Sequence, residues 1–147
     1  MRRSRYTIDL PKHMAECDAN YLRLKKLFPA MREAEETVFA LSAPNGPRVR
    51  IQVLERSPYT SLLRLVQEQD DAWSADPSMK VRLYHDARSA EVVEFQNERR
   101  FEAVYDYPNR QMRQKDEKAQ INRFLGEYLA HCLRHGVSLD KATAVSN

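Results

Sequence analysis

The residues with the clearest potential for chemistry lie at the end of one predicted strand. Ser78 to Asp86 reads Ser-Met-Lys-Val-Arg-Leu-Tyr-His-Asp, so a histidine and an acid follow one another where the strand ends. A histidine oriented by a carboxylate can act as a general base. Neighbouring residues on a strand point to opposite faces, so His85 would need help from the turn or a carboxylate from elsewhere, such as Asp106 or Asp116. His85, Asp86 and Asp106 are therefore the candidate catalytic residues.

A second polar group surrounds the predicted junction between the last strand and a long helix. Backbone amides at a helix N-terminus, together with a basic side chain, can bind an anion. With the strand end, this gives the candidate ligand-binding residues Arg82, Tyr84, His85, Tyr105, Tyr107, Arg113, Asp116, Lys118 and Gln120. A structural interpretation also fits, in which Asp86 caps its turn and Gln120 satisfies backbone groups at the end of the sheet.

Several classes of site have no support in the sequence. Neither Gly-x-Ser-x-Gly nor a phosphate-binding loop occurs, and the chain has only three glycines. Cys17 and Cys132 form no CxxC pair, and His131 with His135 supplies only two ligands at helical i,i+4 spacing. We therefore expect no metal and no cofactor, and a noncatalytic role is favoured over an enzyme.

Composition indicates one globular domain spanning 1–147, with an ordered core at about 5–136 and a flexible tail at 139–147. Apolar residues make up 42% of the chain and charged residues 31%. The net charge of +3 is too small to demand a nucleic-acid partner. No apolar run approaches the roughly 20 residues that cross a bilayer, so we expect a cytoplasmic protein without membrane contact.

Periodicity predicts two amphipathic helices. The first begins near Pro11 and ends by Pro29, with an apolar stripe at steps of three and four formed by Met14, Cys17, Tyr21, Leu24 and Phe28. The second runs from near Gln114 to His135, with Gly136 as its C-terminal cap. Its apolar face consists of Ile121, Phe124, Leu125, Tyr128, Leu129 and Cys132.

Alternation with a period of two predicts six strands between these helices. They are Thr37 to Leu41, Arg48 to Leu54, Pro58 to Glu68, Ser78 to Asp86, Ala90 to Gln96 and Arg99 to Tyr105. The first two form a hairpin whose Asn45-Gly46 can adopt positive φ. Short links favour an antiparallel sheet with both helices packed on it, an α+β fold. Arg5 to Leu10 is either a further strand, which would approach a helix-grip fold, or an extended arm.

Three stretches together resemble one known family. They are Ser78-Met79-Lys80-Val81-Arg82-Leu83-Tyr84-His85-Asp86-Ala87, Tyr105-Asp106-Tyr107-Pro108-Asn109, and Asp116-Glu117-Lys118 with Gln120, Asn122 and Phe124-Leu125. On these motifs the chain resembles the DUF1249 family. The resemblance spans about Arg5 to Gly136 and implies a small bacterial cytoplasmic protein of unknown function.

Three functional hypotheses follow. The first is a noncatalytic binding or adaptor domain, whose partner is an unknown protein or a small anionic ligand. The second is a small enzyme or sensor for a phosphorylated or nucleotide ligand, with His85 as base, Asp86 or Asp106 as its orienting group, and Arg82 and Arg113 holding the anion. The third is an RNA- or ribosome-associated protein, for which acidic residues interleave with the basic ones and weaken the case. The sequence leaves the oligomeric state open.

Overall fold

The structure is a computed structural model that describes residues 10–68, 78–96 and 115–139, without the side chains of Lys115 and Asp116. Within these ranges the chain forms two helices and one antiparallel six-stranded sheet, which confirms the predicted α+β fold. In chain order the elements are α1 (Leu10–Leu27), β1 (Glu36–Leu41), β2 (Arg48–Arg56), β3 (Thr60–Glu68), β4 (Ser78–Tyr84), β5 (Ser89–Gln96), α2 (Lys115–His135) and β6 (Gly136–Ser138). The strand order across the sheet is β5-β4-β3-β2-β1-β6.

Helix α1 follows its predicted apolar stripe for most of its length. Cys17, Tyr21 and Leu24 are buried, and Phe28 is buried just after the helix. Met14 is 58% exposed, so burial begins one turn later than the spacing predicts. Leu10 opens α1 and does not end a strand, while residues 5–9 of the predicted strand or arm lie outside the described ranges.

The sheet separates two faces by simple alternation. On β3, Leu63 and Leu65 are almost fully buried and belong to the core shared with the helices. Leu62 and Val66 are each 8% exposed but lie outside that core cluster, on the opposite face. Apolar residues on both faces are expected of a central strand, and β3 pairs with β2 on one side and β4 on the other. We call the face opposite the helices the outer face.

The sixth described strand is not the one that the sequence predicts. Gly136–Ser138 pairs antiparallel with β1, whereas the sequence predicts only a helix cap at Gly136. The predicted strand Arg99 to Tyr105 lies outside the described residues. Gly136 does not adopt a positive φ, so it is not a left-handed cap. A Cβ there would lie 2.6 Å from the Cys132 carbonyl oxygen, so the tight exit from α2 favours glycine.

Positive φ occurs in the β1–β2 hairpin at Ser42 (72°), and not at the predicted Asn45-Gly46. The left-handed turn directs the Ser42 N–H to the His135 carbonyl oxygen, 2.8 Å away. That carbonyl is one of the last four of α2, which have no partner within the helix. The hairpin therefore closes the C-terminal end of α2, a long-range contact that local sequence rules do not reveal.

Both helices pack on one face of the sheet and against each other. Helix α1 lies against α2 and β5, and α2 adds Ile121, Leu125 and Leu129 to the common core. Gly126 allows the close approach of the helices, because a Cβ there would overlap the Glu16 carboxylate and crowd Asn20. The two helices therefore form one layer over the core.

A fully buried asparagine fixes the position of this layer. The Asn122 Oδ1 atom accepts the Val92 backbone N–H of β5 at 2.9 Å, and its Nδ2 donates to the Lys118 carbonyl oxygen at 2.8 Å. The Nδ2 of Asn20, also fully buried, donates to the Asn122 carbonyl oxygen at 3.0 Å. Buried polar groups are stable only when paired, so these bonds hold α1, α2 and β5 in one register.

We predict that Asn122→Ala lowers the free energy of unfolding by about 1–3 kcal/mol, because the buried Val92 N–H loses its acceptor. Urea denaturation would measure the change. Gln120→Ala, at an exposed position of the same helix, is the matched control and should stay within about 0.5 kcal/mol of wild type. Equal losses in the two variants would contradict the assigned role of Asn122.

Candidate functional site

His85 lies in the turn after β4, buried on the helix side of the sheet. Its backbone N–H donates to the Tyr59 carbonyl oxygen at 2.8 Å, which extends the β3–β4 pairing by one bond. Its Nδ1 atom lies 2.9 Å from the Tyr21 hydroxyl oxygen of α1, and its Nε2 atom 2.8 Å from Ser61 Oγ of β3. The Tyr21 and His85 rings also meet edge to face, with centroids 5.7 Å apart. One imidazole therefore joins the first helix to two strands.

Both ring nitrogens of His85 are engaged by neutral hydroxyl groups. In a neutral imidazole one nitrogen donates and the other accepts, and a hydroxyl can take either part. The pKa of His85 is lowered from its ordinary value of 6.5, chiefly because burial disfavours the charged ring. Positive charges on Arg32 and Lys25 act in the same direction, while Asp86 opposes them. These surroundings favour neutral histidine.

The other candidates at the strand end are not grouped with His85. Asp86 is exposed in the turn. Arg82 and Tyr84 alternate with the core residues Val81 and Leu83, so they lie on the outer face. Arg82 forms a long ion pair with Glu55, with 3.9 Å between Nη1 and Oε1. The candidate base and the candidate anion-binding arginine therefore lie on opposite faces of the sheet.

The candidates near α2 have separate surroundings. The Lys118 ammonium forms an ion pair with Glu91 of β5 at 3.1 Å. Gln120 is exposed, so its predicted bond to buried backbone at the sheet end is wrong; Asn122 of the same helix instead accepts a backbone N–H from the middle of β5. Asp116 lies in the first turn of α2, and its side chain is not described. Tyr105, Asp106, Tyr107 and Arg113 lie outside the described residues.

Histidine and cysteine side chains elsewhere form no larger cluster. His131 and His135 are exposed, with ring centroids 4.7 Å apart. Among the described residues, no group of three or more His, Cys, Asp or Glu could hold a metal ion. Burial raises the pKa of the Cys17 thiol to about 11 and that of Cys132 to about 12, which disfavours the reactive thiolate. Both cysteines are free.

Sequence reasoning missed the polar partners that matter most. The helical spacing places Tyr21 only in an apolar stripe, and no motif singles out Ser61 or Asn20. A signal was available in Asn20 and Asn122, since each is a polar residue within the apolar face of its helix. No comparable signal pairs Tyr21 with Ser61, because 40 positions separate them and only the fold brings both to His85.

The outer face carries a network of charged residues. Arg50 of β2 binds Glu68 through two nitrogens, at 2.8 and 3.3 Å, and Glu36 at 2.8 Å. Lys80 of β4 pairs with Glu94 of β5 at 3.3 Å. Arg64 lies between them on β3, and no ion pair or hydrogen bond joins its guanidinium to any other part of the described chain. Among the described residues, the cation at the centre of this face therefore has no acidic partner.

A family model, described as a protein of unknown function (DUF1249), matches residues 23–138. The match covers most of the chain and includes the last five residues of α1, all six described strands and α2. The chain belongs to the DUF1249 family. This confirms the family that the strand-end and helix motifs indicate.

Three proteins similar to this DUF1249 chain come from strains of Escherichia coli. It is 44% identical over 134 residues to the uncharacterized protein YqiB of Escherichia coli K12, covering 90% of this chain and 94% of the relative. The same figures hold for YqiB of the O6:H1 and O157:H7 strains. No solved structure matches the chain. Within the described residues, neither helix has the length and apolarity needed to cross a membrane.

We predict that Tyr21→Phe lowers the free energy of unfolding by about 1–3 kcal/mol, because the buried His85 Nδ1 loses its partner. Chemical denaturation would measure it. Tyr59→Phe is the control, since Tyr59 is 65% exposed and should tolerate the change within about 0.5 kcal/mol. A loss in Tyr21→Phe no larger than in the control would show that the bond does not stabilise the fold.

Stability should also depend on the protonation of His85. Because the folded pKa lies below 6.5, the unfolded chain binds more protons as the pH falls below that value. The stabilising contribution of His85 to the free energy of unfolding should be present above about pH 6.5. It should decline as the pH falls toward the pKa of His85 in the folded protein. Unfolding free energies of wild type and His85→Gln, measured from pH 8 to 5, should converge in that window. A difference that stays constant or widens on acidification would contradict this.

Proposed function

We propose that this chain is a noncatalytic, cytoplasmic binding or adaptor domain. The observation that carries the proposal is the hydrogen bonding of His85, the leading candidate base. Both of its ring nitrogens are occupied by the buried hydroxyl groups of Tyr21 and Ser61. A general base needs a free lone pair within reach of a substrate proton. The geometry instead supports a structural role, in which the imidazole joins α1 to the sheet.

The arrangement of Ser61 and His85 invites a catalytic alternative. A serine within hydrogen-bond reach of an imidazole is the core of many nucleophilic sites. Ser61, however, is only 1% exposed, and the other ring nitrogen meets a tyrosine where an orienting carboxylate would be expected. These features support assigning the pair to the packing between α1 and the sheet.

A second candidate function is a sensor for a phosphorylated ligand. The observation in its favour is the cationic centre of the outer face, where Arg64 lacks an acidic partner among the described residues. Such a sensor needs no catalytic group, so it is also a noncatalytic binding domain.

We predict that the purified chain binds a ligand or partner without converting it. The assay incubates wild type with panels of nucleotides and phosphorylated metabolites, follows each compound by mass spectrometry, and records Tm in parallel. A ligand at 100 times its Kd should add about 2.7 kcal/mol to stability, with no product formed. Product formation that is lost in His85→Gln and retained in His131→Gln, a control at an exposed histidine, would overturn the noncatalytic proposal.

A further inference from the structure

The outer face places two like charges directly opposite one another. In the β3–β4 register Arg64 pairs with Lys80, on strands that run antiparallel. Directly opposed residues on one face have Cβ atoms about 4.5–5.5 Å apart, and like charges in this position destabilise the sheet. Arg82, two residues from Lys80 on the same face, adds a third cation. We call Arg64, Lys80 and Arg82 the cationic cluster.

Neighbouring acids do not neutralise the centre of this cluster. Glu36 and Glu68 are both bonded to Arg50, and Glu94 is paired with Lys80. Arg82 reaches Glu55 only at 3.9 Å. Arg64, on the central strand, is half-buried and has no bonded partner in the described ranges 10–68, 78–96 and 115–139. A local arrangement that lowers stability and makes no compensating contact is typical of a functional site.

We infer that the cationic cluster binds the phosphate group of a small phosphorylated molecule. A phosphate monoester carries close to two negative charges and several acceptor oxygens, so it can take two hydrogen bonds from the Arg64 fork and one from the Lys80 ammonium. Its charge would relieve the repulsion between the opposed cations. Phosphate binding here presupposes the binding role proposed above and gives it a ligand class.

The surroundings favour a small ligand over a macromolecule. Leu62 and Val66 flank Arg64 along β3 and are largely buried, with only 8% of each exposed. They therefore offer little apolar area that a protein partner could bury. Acidic side chains, Glu36, Glu55, Glu68 and Glu94, surround the cluster and would repel the successive phosphates of a nucleic acid. A single phosphate group needs no apolar area and approaches fewer of these carboxylates than a nucleic acid would.

The test titrates inorganic phosphate and then AMP into the full chain, at pH 7.5 and an ionic strength held constant with sodium chloride. Tm and the side-chain Nε–Hε NMR signals of arginine are recorded. We expect a saturable response with a Kd of about 1–10 mM for phosphate, and at least a tenfold weaker response to acetate. No saturation by about 50 mM phosphate, or equal affinity for acetate, would overturn the phosphate site.

Matched variants separate the cluster from the general charge of the face. Arg64→Gln should lose the phosphate response, while its ligand-free Tm should rise by about 1–3 °C because the repulsion is removed. Arg48→Gln, also a change of one charge on the outer face but opposite Glu68, should retain the response. Equal binding in both variants, or equal loss in both, would exclude a site centred on Arg64.

A titration with a single-stranded RNA oligonucleotide tests whether a nucleic acid is the ligand instead. Binding of RNA that depends on Arg64, without any response to phosphate or AMP, would replace the small ligand with a nucleic acid and overturn the inference. Failure of the phosphate test leaves the noncatalytic proposal standing without a ligand class. Turnover that requires His85 would instead refute that proposal while leaving the outer face unaffected, so the two failures are distinguishable.

Discussion

The buried amide of Asn122 is the constraint on which the relative placement of the elements depends. The side-chain amide accepts a backbone N–H from β5 and donates to a carbonyl of its own helix. The backbone carbonyl of Asn122 accepts a hydrogen bond from the Asn20 side chain of α1. The hydrophobic effect is nondirectional, so burial of apolar area specifies the register of two helices on a sheet less sharply than a directional hydrogen bond does. A fully buried polar group that is satisfied in only one register removes that freedom.

His85 serves the same purpose at another point of the helix layer. Its imidazole touches Tyr21 and Ser61, so three elements that are distant in the chain meet at one neutral ring. Because the ring is buried near Arg32 and Lys25, its charged form is disfavoured. The histidine that looks most catalytic in the sequence thus has a structural explanation.

Polarity is arranged differently on the two faces of the sheet. On the helix side, the buried side chains of Asn20, Asn122 and His85 are hydrogen-bonded, as low dielectric requires. On the outer face, water screens charges, so like charges can lie opposite one another at modest cost, as Arg64 and Lys80 do. A protein can therefore place an unpaired cation on the outer face without unfolding, whereas the same cation in the helix-side core would be costly.

The sequence by itself determined the fold class and the start of α2 to within one residue. It also determined the succession of strands β1 to β5 along the chain. These follow from periodicity and turn chemistry, which are local. The family also followed, since its motifs are contiguous. Only the tertiary structure decided that Gly136–Ser138 is a strand and that the Ser42 N–H bonds the His135 carbonyl at the end of α2. It also decided that His85 meets Tyr21 and Ser61. Those contacts join positions far apart in the chain, and no local pattern encodes which distant residues the fold will bring together.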